Sequence, residues 1–180
     1  MTSKPKLLLH VCCGPCSTQS IEEASENYEV ILFFSNSNIF PEEEYKKRLD
    51  ETKRFAKLKN LELIEDDYDH VSWLEFVKGL ENEPEGGKRC EKCFEYNFLR
   101  TADYCKKNNL EFFTTTLTIS PYKNSGTIFA IGNTIAKQYD LKFVEFDFKK
   151  KDGYKKSVEL SKKYDLYRQN YCGCEFSLNK

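Results

Sequence analysis

Eight cysteines stand in a chain of 180 residues, and seven are grouped: Cys12, Cys13 and Cys16, then Cys90 and Cys93, then Cys172 and Cys174. Cys13-Gly14-Pro15-Cys16 and Cys90-Glu91-Lys92-Cys93 are two C-x-x-C pairs about seventy residues apart. That spacing lets two short loops converge on one metal centre. Inert cysteines are expected among apolar neighbours. Gly, Pro, Lys and Arg surround these instead, so the inert reading is kept for Cys105 alone. A structural zinc takes four ligands and usually organises a small unit that the metal itself folds. This chain is long enough to form a core without metal, and Cys12 adds a fifth thiol. The count favours an iron–sulfur cluster over zinc, with the extra thiolate left for a second metal or a bridging role.

Two other readings of the same residues stay open. Cys13-Gly14-Pro15-Cys16 has the form of a thioredoxin-type redox motif, and a strand-to-helix junction lowers a thiol pKa. A thiol–disulfide oxidoreductase using Cys13 and Cys16 leaves the second C-x-x-C pair unexplained. A zinc-dependent binding module uses both pairs, without turnover. In the tail, Cys172-Gly173-Cys174 could close a small strained disulfide, the labile and redox-active kind. Asp66-Asp67-Tyr68-Asp69 follows a predicted strand, where a loop could bring a carboxylate to a metal; Asp69 is the choice among them. A solvated acidic loop is the plainer reading.

The formal net charge of −1 is unevenly spread: residues 1–70 carry 9 basic and 14 acidic side chains, residues 137–180 carry 11 and 7. In that basic half, Lys149-Lys150-Lys151, Lys155-Lys156 and Lys162-Lys163 interleave with Tyr154, Tyr164 and Tyr167, before Arg168-Gln169-Asn170-Tyr171. Lysines neutralise phosphates, while Tyr, Arg, Gln and Asn stack on or hydrogen-bond an unstacked base. Lys150, Tyr154, Arg168, Gln169 and Asn170 are therefore the candidate RNA contacts. A solvated lysine-rich helix accounts for the same charge count.

These side chains need a scaffold. With 39% hydrophobic, 14% aromatic and 32% charged residues the chain is not disordered, and no apolar run approaches the roughly 20 residues needed to cross a bilayer. The length suits one domain over 1–180, with an irregular, redox-active tail from about 167. No secretory signal is recognisable, so a cytoplasmic location is expected. Short apolar runs at 6–11, 30–34, 61–64, 111–115 and 142–146 alternate with helical patterns at about 17–26, 41–59, 71–80, 90–108, 122–139 and 154–164. This alternation predicts an α/β fold, a mainly parallel five-stranded sheet with helices on both faces. Ligands of such sheets gather at the carboxyl ends of the strands, near the point where strand order reverses. The first strand runs directly into Cys12. Where a nucleotide-binding enzyme would carry its phosphate loop, this chain carries cysteines.

Four blocks, in order, resemble the cobalamin-independent epoxyqueuosine reductases: His10–Cys16, Glu83–Phe94, Thr114–Pro121 and Tyr167–Cys174. The resemblance implies an ATP-pyrophosphatase-like (HUP) α/β fold with the nucleotide loop replaced by cysteines. It implies an oxidoreductase for the last step of queuosine biosynthesis, in which the epoxide of epoxyqueuosine at the wobble position of certain tRNAs is reduced to an alkene. It further implies a [4Fe-4S] cluster at Cys12, Cys13, Cys90 and Cys93, with Cys16 available to a second, mononuclear iron. Cys172 and Cys174 would be a redox-active pair. The implied partners are the anticodon stem-loop of tRNA carrying epoxyqueuosine and an unidentified electron donor, with no membrane.

Overall fold

The computed structural model describes residues 4–178; the first three and last two residues of the expected 1–180 unit lie outside them. The strands β1 (Lys6–His10), β2 (Glu29–Phe34), β3 (Leu63–Glu65), β4 (Phe112–Thr115) and β5 (Lys142–Phe143) form one sheet in the order β3-β2-β1-β4-β5. Among the described residues all four pairings are parallel, and Leu8 of the central β1 registers against Ile31 on one side and Phe113 on the other. Helices α1 (Gly14–Ala24), α2 (Glu42–Leu58), α3 (His70–Phe76), α4 (Lys88–Lys107), α5 (Ser125–Tyr139) and α6 (Gly153–Lys163) complete the expected five-stranded α/β architecture. None of them is long and apolar enough to cross a membrane.

A strand covered on both faces must be apolar throughout, and its two-residue period divides the side chains between two cores. Leu7, Leu9 and Val11 pack with Ile21 and Ala24 of α1 and with Tyr45, Leu49 and Phe55 of α2. Leu8 turns the other way, with Ile31 and Phe33, onto Phe94, Phe98 and Ala102 of α4 and Ile128 and Ile135 of α5. Each fully buried Leu or Phe contributes roughly 1.5–3 kcal/mol of transfer free energy. Together these groups hold β1 in place beneath the cysteines that follow it.

The element ends differ from the sequence reading in ways that matter for the site. α1 begins at Gly14, not Ser17, because Pro15 suits a first helical turn; Cys13 thereby becomes its N-cap. α5 begins at Ser125, not Tyr122: the Asn124 side chain caps it by accepting from Thr127 N–H at 3.0 Å. Residues 120–124 are left as a loop at the end of the sheet. β5 stops at Phe143 because the chain turns away, Phe146 N–H donating to Val144 O instead of to the ladder.

Candidate metal centre and substrate cavity

Strand order reverses between β1 and β4, and the two segments leaving those strands meet there. Cys12 N–H donates to Thr116 Oγ1 at 3.3 Å, and that hydroxyl lies 3.6 Å from Cys12 Sγ. His10 ties three strand ends together: Nδ1 faces Thr115 Oγ1 at 2.9 Å and Nε2 faces Ser35 O at 3.0 Å. A carbonyl only accepts, so Nε2 carries the proton and Nδ1 accepts from the threonine hydroxyl. Burial keeps this ring neutral by pushing its pKa down, against smaller opposing effects of Cys12, Ser35 and Asp66. Asn36 Nδ2 donates to Val11 O at 2.8 Å, fixing the loop after β2 beside the same strand end.

On this platform the first helical turn brings Cys16 back over Cys13. The sulfurs of Cys12, Cys13 and Cys16 all lie within 4.8 Å of one another, with Cys12 and Cys13 at 3.9 Å. Burial alone would raise the Cys13 thiol; hydrogen bonds from Cys12 and Cys16 and the Arg48 guanidinium reverse this and hold it well below the ordinary thiol value. Its two partners move up, Cys12 chiefly through its bond to Cys13 and Cys16 through its bonds to both. The triad therefore carries a first negative charge readily and resists further ionisation until a cation arrives. Three clustered soft donors fit a thiophilic metal centre.

A cavity of ≈ 630 Å³ opens above the triad, and Cys12, Cys16, Cys93 and Cys172 all face it. Cys90 and Cys93 sit in the first turns of α4 and do not join the tight triad. Gly86 N–H donates to Cys90 Sγ at 3.2 Å. Arg89 pins the preceding loop through the carbonyls of Leu80, Glu81 and Glu83. Burial, then the charges of Cys172 and Cys174, push the Cys93 thiol well up. Cys174 is buried with Trp73, Val77 and Tyr96, its sulfur 3.6 Å from Ser177 Oγ. All eight cysteines are free thiols.

Of the candidate RNA contacts, Tyr154, Arg168, Gln169 and Asn170 line this cavity. The Arg168 guanidinium lies 5.2 Å from the centre of the Tyr154 ring. Lys150 does not join them: it lines a separate concavity with Glu23 and Glu26, 3.7 Å from Asp147. Asp69 is not brought to the thiols either. It caps α3, Oδ1 accepting from Ser72 N–H at 3.0 Å and Oδ2 from Ser72 Oγ at 2.6 Å, so both oxygens are engaged at the surface.

Two cations at the site escape the sequence reading. Arg48, 1% exposed, pairs with Glu44 at 2.7 Å and donates to the carbonyls of Cys172 and Tyr171 at 2.9 and 3.3 Å. A signal for it exists: Arg48 falls among Tyr45, Leu49, Thr52 and Phe55, on the core-facing stripe of α2. Lys123 carries no such signal, since it lies in the irregular loop before α5. It lines the cavity, and although burial works against its charge, Cys172, Cys12 and Cys16 outweigh that and keep it protonated.

Comparison with known proteins gives this geometry a family. Residues 7–180 match the family model described as Epoxyqueuosine reductase QueH. Among curated relatives, Epoxyqueuosine reductase QueH of Streptococcus pyogenes serotype M1 is 43% identical, over 97% of this chain and 71% of that protein. The Acinetobacter baylyi protein of the same name is 41% identical over 96% of this chain and 80% of its own length, and the Thermotoga maritima one 39% identical over 96% and 90%. A solved structure described as a predicted subunit of tRNA methyltransferase from Methanocaldococcus jannaschii DSM superposes with TM-score 0.57, covering 87% of this chain and 74% of that one. At 12% identity this last likeness is one of fold alone.

Proposed function

Because this chain belongs to the epoxyqueuosine reductase QueH family, we propose that it reduces the epoxide of epoxyqueuosine in tRNA to the alkene of queuosine, through iron–sulfur chemistry and without cobalamin. Both carbon–oxygen bonds of the epoxide break and a carbon–carbon double bond forms. Two electrons from an external donor and two protons accompany the oxygen as it leaves as water. The observation that carries this reading is the buried thiol triad at the strand-order reversal, opening onto a cavity of ≈ 630 Å³. That volume suits one modified base turned out of its stack.

In this reading Cys12, Cys13, Cys90 and Cys93 hold a [4Fe-4S] cluster, and Cys16 helps hold a second, mononuclear iron. Such a cluster supplies electrons one at a time. The chain's own residues do the rest. Tyr154, Arg168 and Asn170 receive the extruded base, while Lys150, off the cavity, meets the phosphate backbone. Cys172 at the cavity and Cys174 behind it form a dithiol pair. Arg48 and Lys123 place positive charge against the thiolates, which lowers the free energy of gathering so many anionic ligands. One domain carries the complete site.

Anaerobic purification, an ultraviolet–visible spectrum and quantitation of iron, sulfide and zinc test the metal. Nucleoside mass spectrometry of epoxyqueuosine-containing tRNA tests the reaction. The expected result is a brown protein with iron in excess of sulfide, and a product lighter by one oxygen. A colourless protein holding zinc, or no metal after iron–sulfur reconstitution, overturns the reading, as does an unchanged nucleoside.

A further inference from the structure

Gln169 and Asn97 are cavity residues whose amide hydrogen bonding is half complete, and Gln169 is the one whose N–H faces a cysteine sulfur. Its Nε2 lies 3.1 Å from Cys13 Sγ, while its Oε1 is buried and has no hydrogen-bond partner. The amide N–H faces the sulfur and the carbonyl oxygen is the open end. A buried acceptor left unpaired is unfavourable. The segment around it is tied down on both sides: Tyr167 N–H donates to Glu51 Oε2 at 2.8 Å, Tyr171 Oη to Phe40 O at 2.6 Å, and Arg48 to the carbonyls of Tyr171 and Cys172. Gly173, at a φ of +145° and packed against Ile39 and Arg48, seats the end of the strap where any side chain would be strained.

We propose that Gln169 joins the metal centre to the substrate: its N–H donates to the Cys13 sulfur while its carbonyl oxygen accepts from an O–H or N–H of the modified base seated in the cavity. The inference rests on the reductase reading above. A hydrogen bond to a ligating sulfur draws electron density from it and raises the reduction potential of the centre. A donor arriving at the carbonyl oxygen polarises the amide and strengthens its N–H bond to sulfur. The centre thus becomes easier to reduce once the base is in place.

Redox titration of the iron–sulfur-loaded full chain tests this, with and without an anticodon stem-loop carrying epoxyqueuosine. The wild-type midpoint potential should rise when the stem-loop is added. Gln169→Leu should hold the same iron, show a more negative potential, lack the substrate-induced rise, and bind the stem-loop about tenfold more weakly. A loaded Gln169→Leu whose potentials match wild type in both states overturns the contact. Should that variant fail to hold iron, the loaded wild type decides alone: no positive shift on stem-loop binding overturns it. A wild-type chain that takes up no iron overturns the reductase reading and this contact with it, whereas loaded protein with flat potentials overturns only the contact.

Discussion

Whether a cysteine does chemistry or packing is decided by its immediate surroundings. Cys105 is fully buried in the layer of Phe98 and Phe113, and burial alone pushes its thiol up to about 12. Alkylation of native protein with iodoacetamide at mildly alkaline pH, followed by peptide mass mapping, should leave Cys105 unmodified while the cavity-facing Cys172 reacts. Cys105→Ala should cost about 1 kcal/mol of stability in urea denaturation and leave iron content unchanged. The grouped cysteines behave oppositely. Cys90→Ala should abolish both iron loading and turnover; Cys172→Ala should keep the iron and lower turnover, each read by iron quantitation beside the tRNA assay. The seclusion of Cys105 was legible in the sequence from its place within a predicted helix, apart from the grouped cysteines. The bond from Gln169 to Cys13 was not, since it spans 156 residues and depends on how the tail is docked.

Strands announce themselves, straps do not. The runs Leu7–Val11 and Val30–Phe34 are apolar throughout, so the parallel sheet and its helices on both faces follow from the alternation alone. The irregular stretch after α6 has no periodicity to read, yet it closes the site through polar contacts supplied by α2. Glu51 is one of them: it accepts from Tyr167 N–H and pairs with Arg54, which itself donates to the carbonyls of Tyr164 and Asp165. Partial burial would raise the Glu51 carboxyl, but Arg54 and then the Tyr167 N–H outweigh it and hold the pKa below the ordinary value. A depressed carboxyl stabilises the fold above its unfolded-state pKa and loses that contribution as pH falls through the folded one. Acidification below the ordinary glutamate range should therefore loosen the strap, raising amide hydrogen exchange at 167–173 before the sheet opens. Glu51→Gln should show faster exchange there already at neutral pH and a flatter response to acid; an unchanged pH profile would contradict this role.

At the scale of the whole molecule, the lysine-rich stretch of the sequence becomes a helix with exposed lysines. The lysine-rich α6 packs along α1, the helix that starts at the thiols, and its first turn delivers Tyr154 to the cavity that Arg168 also lines. Which lysines go with the cavity could not be read from the chain. Lys151 and Asp152 both take left-handed backbone angles just before α6, and that turn leaves Lys150 on a separate concavity. Lys155 and Lys162, seven residues apart on α6, share one exposed helix face, where a phosphate backbone could run past the cavity mouth. Nucleic-acid affinity falls with salt in proportion to the phosphates neutralised. Lys155→Glu and Lys162→Glu should each weaken binding of an anticodon stem-loop and flatten the slope of log affinity against log salt by about one unit, whatever the loop sequence. Iron content and the thermal midpoint should not move, because both side chains are exposed. A slope equal to wild type in both variants would take the tRNA off α6 and leave its lysines as a solvated face.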